Sequence, residues 1–368
     1  MKKTLPIIAS LILLSSTAIF GQGKFSGYMF GDYYYNIGRD SSFNHTAPSN
    51  AASTSSAPGA KAMQAFQFRR IYFTYDNDIS EQFTTRFRLE ADQGALASST
   101  GDVISSGKVA VFVKDAYLKW KNIFSGSDAI FGVQPTPAFD ISETAWGYRS
   151  LEKTIMDLRS IVDSRDMGLS LKGKITGDGM LNYWLMLGNG AGTAKPESDK
   201  YKRYYAHIQI KPITNLQATL YIDYKDMPNV AAGNHSVTTS ALFIGYTEPF
   251  MYNIGVEAFI TSQSNQFKPT GGSLGSQNGM GISLFGSYNF IPELAAIVRY
   301  DYYDPNTNSA ANAQGDIRNY VIAGLSWKVD KNVSIMPNLL YETYEAPAGH
   351  GTPDPSITAR LTLYYVFL

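Results

Sequence analysis

The feature that most limits what this chain can become is an alternation of apolar and polar residues, repeated in segments of about ten residues down to its last one. In 81–93, Phe83, Phe87, Leu89 and Ala91 share one parity, with Thr85 the exception. Gln82, Arg86, Arg88, Glu90 and Asp92 share the other. A period of two is a β-strand with one apolar and one charged face. In 203–213 the apolar set is Tyr204, Ala206, Ile208 and Ile210, against Arg203, Tyr205, His207, Gln209 and Lys211. In 318–329 it is Val321, Ala323, Leu325 and Trp327, against Arg318, Tyr320 and Lys328. The segments 216–226, 237–248, 252–262, 280–290, 295–304, 333–344 and 356–367 read the same way. A tilted strand needs roughly 9–11 residues to cross a bilayer, and these have that length.

The connections alternate as well. Short turns are expected at Asp76–Ser80, Ile123–Asp128, Gly177–Met180, Pro212–Asn215, Glu248–Tyr252, Ile291–Leu294 and Asp330–Asn332. Between them lie the longer polar segments 40–62, 94–108, 135–165, 189–202, 227–236, 263–279, 305–317 and 345–355. Short turns at one end and long loops at the other are the connectivity of a transmembrane, antiparallel, up-and-down β-barrel. The count is about 16 strands, with both termini on the periplasmic side. The shortest, 129–134, carries the count: without it and its neighbour the number falls to 14. Leu361, Leu363, Tyr365 and Phe367 close the chain on the same alternation.

Targeting and composition agree with an all-β barrel in the cell outer membrane. Lys2 and Lys3, followed by the apolar stretch Leu5 to Phe20, read as a secretory signal peptide over residues 1–21. The barrel then occupies 22–368. An uncleaved N-terminal membrane helix is the alternative, but the stretch is shorter than a normal span. The 25 Tyr, 20 Phe and 4 Trp suit a surface that is apolar at one level and wet at the next, as at the two interfaces of a membrane barrel. With Lys2 and Lys3 removed, 31 basic residues become 29 against 31 acidic ones, so the net charge is −2 and no nucleic-acid partner is implied. Cysteine is absent, which excludes disulfides and thiolate metal sites.

Residues 131–168 break the hairpin rhythm. The stretch is too long for a tight turn, and Leu151, Ile155 and Leu158 have helical spacing within 149–160. Its Gly132-x-Gln134-x-x-Pro137, Trp146-Gly147-Tyr148-Arg149 and Arg165-Asp166-x-Gly168 resemble the porin superfamily of 16-stranded channels. More narrowly, they resemble the phosphate-selective porin O and P family. Ser26-Gly27-Tyr28, Gly31-Asp32-Tyr33 and Leu187-Gly188-Asn189-Gly190 fit the same pattern. The resemblance implies a homotrimer of barrels embedded in outer-membrane lipid. Each pore would be a passive path for small hydrophilic solutes or anions, narrowed by the third external loop, 135–165, folded inward. It implies no cofactor.

A passive channel selects by width and by the charges at its narrow point. The candidate lining on the folded loop is Arg149, Lys153, Arg159 and Arg165. Wall positions of lumen parity add Arg86, Arg88, Lys172, Lys174, Arg203, Arg299 and Arg360, and one of Arg69 and Arg70. Guanidinium groups suit oxyanions by bidentate hydrogen bonding. Acids stand beside them: Glu90, Asp92, Glu143, Glu152, Asp157, Asp166, Asp223, Glu257, Asp301 and Glu342. Two expectations stay open: a basic constriction that favours anions, or bases that each pair with an acid and set no selectivity.

Other chemistries find little support. His45, His207, His235 and His350 lack metal-ligand spacing. Asp304-x-Asn306-x-Asn308 begins like a calcium loop but has Ser309 and Gly315 where glycine and glutamate are needed. Ser150-x-x-Lys153 lacks the companion motifs of a Ser–Lys nucleophile. Gly188 to Gly192 follows a strand but opens no helix, so it is no dinucleotide site. The competing functions are an outer-membrane barrel enzyme of lipase or protease type, for which no Ser/His pair stands out, and a non-conducting structural or adhesive barrel. A soluble sugar-binding β-protein would expose a continuous apolar belt to water.

Overall fold

The computed structural model describes residues 23–40, 61–92, 110–193, 197–227, 235–267, 275–307, 317–346 and 351–368. The expected signal segment 1–21, the loop 94–108, most of the loop 40–62 with His45, residue His350 and the Asp92 side chain lie outside the described residues.

Sixteen antiparallel strands close into one barrel. They are β1 (Lys24–Gly38), β2 (Gln64–Asp78), β3 (Phe83–Asp92), β4 (Ala110–Phe124), β5 (Ser127–Pro135), β6 (Arg165–Lys174), β7 (Leu181–Gly188) and β8 (Arg203–Ile213). After them come β9 (Leu216–Met227), β10 (His235–Glu248), β11 (Tyr252–Phe267), β12 (Gly275–Ile291), β13 (Leu294–Asp304), β14 (Arg318–Asp330), β15 (Val333–Tyr344) and β16 (Ser356–Val366). Each strand pairs with its sequence neighbours, and β16 returns to β1. Closure leaves no strand edge, so the ladder hydrogen bonds run round the whole barrel, as the interior of a bilayer requires. The short strand β5 forms and the count is 16. One expected boundary is corrected: β11 runs to Phe267 and β12 starts at Gly275, so the segment 263–279 is mostly strand.

The outer face is the apolar one. Leu185, Leu220, Ile244, Val256, Leu284 and Val298 are exposed around its middle. Aromatic rings flank them, with Trp120, Tyr288, Phe290 and Trp327 toward the short turns and Tyr35, Phe66, Tyr204 and Tyr224 toward the long loops. Such a face is solvated by lipid and not by water. No helix among the described residues is long and apolar enough to cross a membrane. The strands do the crossing.

Inside, polar residues alternate with the lipid-facing ones, among them Asp32, Thr74, Asp115, Gln134, Thr239, Asp301 and Thr358. The lumen is not uniformly polar, however. Phe243, Phe285, Ile297, Ile322, Met336 and Leu340 also point inward and are buried. What covers them is the segment between β5 and β6, the third long connection. It contains two short helices, α1 (Asp140–Trp146) and α2 (Ile155–Leu158). The helical piece expected over 149–160 is thus shorter, and α1 precedes it. The chain breaks at Gly147, whose φ of 70° lets α1 stop and turn.

Candidate functional site

The loop from Thr136 to Ser164 is held inside the barrel by its apolar underside. Trp146, Leu151 and Leu158 pack into one cluster with Phe243, Phe285, Ile297, Ile322 and Met336 of the wall. Ile155, Met156 and Val162 pack into a second with Met186, Tyr205, Tyr221 and Phe259. Leu151, Ile155 and Met156 have no exposed surface. Burying a side chain of that size stabilises by about 1.5–3 kcal/mol, so the docked loop is a built part of the lumen.

Polar clamps fix its height. Arg69 Nη1 donates to the carbonyls of Ser150 at 2.6 Å and Leu151 at 3.0 Å. Arg360 Nη1 donates to the Leu151 carbonyl at 3.2 Å, and Arg299 donates to that of Lys153. Asn253 donates to the Ala145 carbonyl. Trp146 Nε1 donates to the Glu152 carbonyl at 2.8 Å, and Ser142 Oγ to Glu257 Oε1 at 2.8 Å. Burial alone would raise the Glu152 carboxyl, but Arg69 and Arg360 outweigh it and hold its pKa down at about 2. Asp157 is likewise held at about 2: Arg149 and Lys153 override its burial.

These contacts relocate four of the expected lining residues. Arg299 and Arg360 are 1% and 3% exposed and grip the loop from behind, so they do not face the open lumen. Arg159 is buried between the rings of Tyr303 and Tyr320, its Nη2 2.7 Å from Glu342. Arg203 is buried on Asp223 at 2.8 Å. A wall position of lumen parity is open to water only where the loop leaves it uncovered.

The uncovered side is the wall of β1 to β4, with β14 to β16 at its flank. There a cavity of about 450 Å³ separates wall and loop. Arg88, Lys114, Arg149 and Arg165 line it, with Glu143 the acid beside them. Their other counter-charges lie behind. Glu90, 1% exposed, holds both Arg70 at 2.9 Å and Lys114 at 2.9 Å. Asp115, fully buried, holds Arg88 at 3.4 Å and also Arg165. Arg149 contacts Glu143 at 2.8 Å and Asp157 at 3.0 Å, and Lys153 lies 3.6 Å from Asp157. Every one of these cations has an acid, but the network sets Arg70, Arg88, Lys114, Arg149, Lys153 and Arg165 on only Glu90, Asp115, Glu143 and Asp157.

Arg86, Lys172 and Lys174 stand lower, in a wider space of about 950 Å³ toward the short turns. Arg86 pairs with Asp76 at 2.7 Å, and Lys172 caps the Trp184 ring at 3.9 Å.

Two residues of the narrow region escaped the parity rule, and each sits at a β-bulge. On β2, Phe30 pairs with Arg70 and Gly31 with Phe68, leaving Arg69 as the extra residue. Both Arg69 and Arg70 thereby reach acids of the lumen. On β4, Arg88 pairs with Asp115 and Leu89 with Val113, leaving Lys114 extra beside Asp115. A bulge shifts parity by one. The signal was present: exposed Val111 and Val113 give way to Leu118 and Trp120, an odd set to an even one, with two adjacent charges at the switch.

Three glycines of the quoted motifs also acquire a reason. Gly132 pairs with Gly168, and Gly168 with Gly188, in one row at the root of the loop. A Cβ on Gly188 would stand 2.2 Å from the Asp166 carboxylate. That carboxylate accepts from Tyr205 Oη at 2.8 Å and from the Gly190 amide at 2.7 Å.

No protein-family model matches the chain, and no curated protein matches it in sequence. Solved structures do match its shape. The outer-membrane channel DcaP of Acinetobacter baumannii superposes with a TM-score of 0.65 at 11% identity, covering 94% of this chain and 97% of that one. The anion-selective porin from Comamonas acidovorans gives 0.62 at 12% identity, covering 94% and 99%. OmpF of Salmonella typhi, solved with daunomycin, gives 0.60 at 13% identity, covering 94% and 97%. With its outer apolar belt and inward third loop, the chain has the fold of the 16-strand outer-membrane porins.

Proposed function

We infer that the protein is a passive outer-membrane porin with a weak preference for anions. It conducts small hydrophilic solutes through the gap between the docked loop and the wall of β1 to β4. The observation that carries this is the shared-acid network: six cations on four carboxylates at the narrow point, with Glu90, Asp115 and Asp157 set back and Arg88, Lys114, Arg149 and Arg165 lining the cavity beside Glu143. Groups set back behind their partners act on a passing ion more weakly than those in front. The excess is small, so the preference is small. The Ser150-x-x-Lys153 spacing forms no Ser–Lys pair: Ser150 Oγ contacts Met336 Sδ at 3.8 Å, and Lys153 pairs with Asp157.

Phosphate is the finer reading. The guanidinium groups of Arg88, Arg149 and Arg165 suit an oxyanion, and the resemblance to the porin O and P family points the same way. A trimer is the assembly the porin fold suggests, and one Vibrio cholerae neighbour is described in a trimer form.

The test is the reversal potential of purified protein in a planar bilayer under a KCl gradient, with and without phosphate. A conducting, mildly chloride-preferring channel blocked by phosphate supports the whole reading. An unselective channel unaffected by phosphate leaves a general porin. No conductance from a folded barrel overturns the porin reading.

A further inference from the structure

The cavity at the narrow point has a second face that ion flow does not need. Tyr72 of β2, Tyr28 of β1 and Tyr364 of β16 stand side by side on three neighbouring strands. Tyr28 is in register with Tyr72, their ring centroids 4.7 Å apart and tilted 35°. Tyr364 lies 5.8 Å from Tyr28 at 44°. The three form a short aromatic lane across the wall. The basic residues Arg88, Lys114, Arg149 and Arg165 line the same cavity.

Each part of this surface selects a part of a ligand. Tyr28 and Tyr364, half-buried, present flat apolar faces within a wet channel, with buried Tyr72 packed beside Tyr28, and a ring with C–H groups on its own face can lie on them. Among the described residues, the Tyr28 and Tyr364 hydroxyls have no hydrogen-bond partner, so the lane also carries open donor and acceptor capacity. Ser326 and Ser334 add hydroxyls to the same cavity. The guanidinium groups take a carboxylate or phosphoryl group. A small inorganic anion would use the bases and leave the lane idle. An aromatic carboxylate would use the lane and leave the hydroxyls idle. A six-membered sugar ring bearing one acidic group uses all three, and the cavity of about 450 Å³ lies within the range of small-molecule sites.

We propose that the ring faces of Tyr28 and Tyr364, flanked by buried Tyr72 and facing the basic loop and wall, are a transit site for acidic monosaccharides. This rests on the porin reading above and narrows its solute class.

The test is block of KCl current through the whole protein in a planar bilayer by glucuronate, glucose, acetate and benzoate. Glucuronate is expected to half-block at a concentration about tenfold below glucose or acetate, the effect of one or two ring contacts added to one charge contact. Benzoate is expected to fall between. The double variant Tyr28→Ala, Tyr364→Ala, still conducting and still heat-modifiable on gels, should remove the advantage of glucuronate over acetate. Tyr28→Phe, Tyr364→Phe should keep most of it. Equal block by glucuronate and acetate in the native protein overturns the proposal, and so does an alanine variant that keeps the difference. Stronger block by benzoate than by glucuronate overturns the sugar and leaves an aromatic acid. Absence of any current strikes the porin reading itself.

Discussion

Asp115→Asn is the sharpest probe of the charge balance at the narrow point. Asp115 is fully buried and serves two guanidinium groups, Arg88 at 3.4 Å and Arg165. The substitution is nearly isosteric and leaves both cations in place. Four acids become three, so the excess of positive charge in the network rises from two to three. An anion touching the lumen side of Arg165 is separated from Asp115 by about one guanidinium, on the order of 7 Å. Coulomb's law then gives about 0.6 kcal/mol in a water-like medium and about 2.4 kcal/mol at an effective dielectric of roughly 20. The change acts with opposite sign on chloride and potassium. Even the smaller figure, counted once for each ion, therefore raises the chloride-to-potassium permeability ratio by roughly fivefold or more. The assay is the reversal potential in a KCl gradient at low and high salt. The shift should shrink at high salt, because screening shortens the reach of the field. An unchanged ratio in a channel of native conductance would refute the reasoning, since the shared acid would then not govern selectivity.

The remaining predictions concern the loop. Deleting most of residues 140–160 should raise single-channel conductance, because that segment fills the space between the wall clusters; an unchanged conductance would show that the narrow point lies elsewhere. Leu151→Ala removes a side chain with no exposed surface and should cost about 2–5 kcal/mol of docking, seen as current noise between two levels; a quiet trace at one level would count against a docked two-state loop. The Glu152 clamp is depressed from the usual carboxylate range to about 2, so its contribution is full above about pH 4.5 and is lost as pH falls toward 2. Loop-dependent noise should therefore be absent at neutral pH and grow only below about pH 4.5; its appearance nearer neutrality would point to another group.

The arrangement at the site is costly in one respect. Burying a carboxylate is unfavourable unless its partners are well placed, and removing one partner of a buried pair commonly costs about 3–5 kcal/mol. Glu90 and Asp115 each have two cationic partners, which meets that condition and at the same time turns the cations toward the lumen. A direct pair facing the water would have cancelled its own field. Setting the acid behind and the base in front leaves a residual field.

What the sequence determined by itself was everything that depends on local period. Alternation of two fixes which face of a strand meets lipid, and crossing length follows from the same segments. The alternation of short turns and long loops fixes connectivity, so the strand count was legible before any coordinate, while the inward third loop followed only from the resemblance of 131–168 to porins. Tertiary structure decided what depends on which long-range surface covers which. Ile322 and Phe285 have lumen parity, yet they are dry, because the loop lies on them. Arg299 and Arg360 have lumen parity too, and for the same reason they bind loop carbonyls and not solute. At Arg69 and Lys114 the period slips by one, since a bulge is a matter of pairing between two strands and not of either strand alone. The tyrosine lane is a register effect: Tyr28, Tyr72 and Tyr364 are far apart in the chain, and only the closure of β16 onto β1 makes them neighbours.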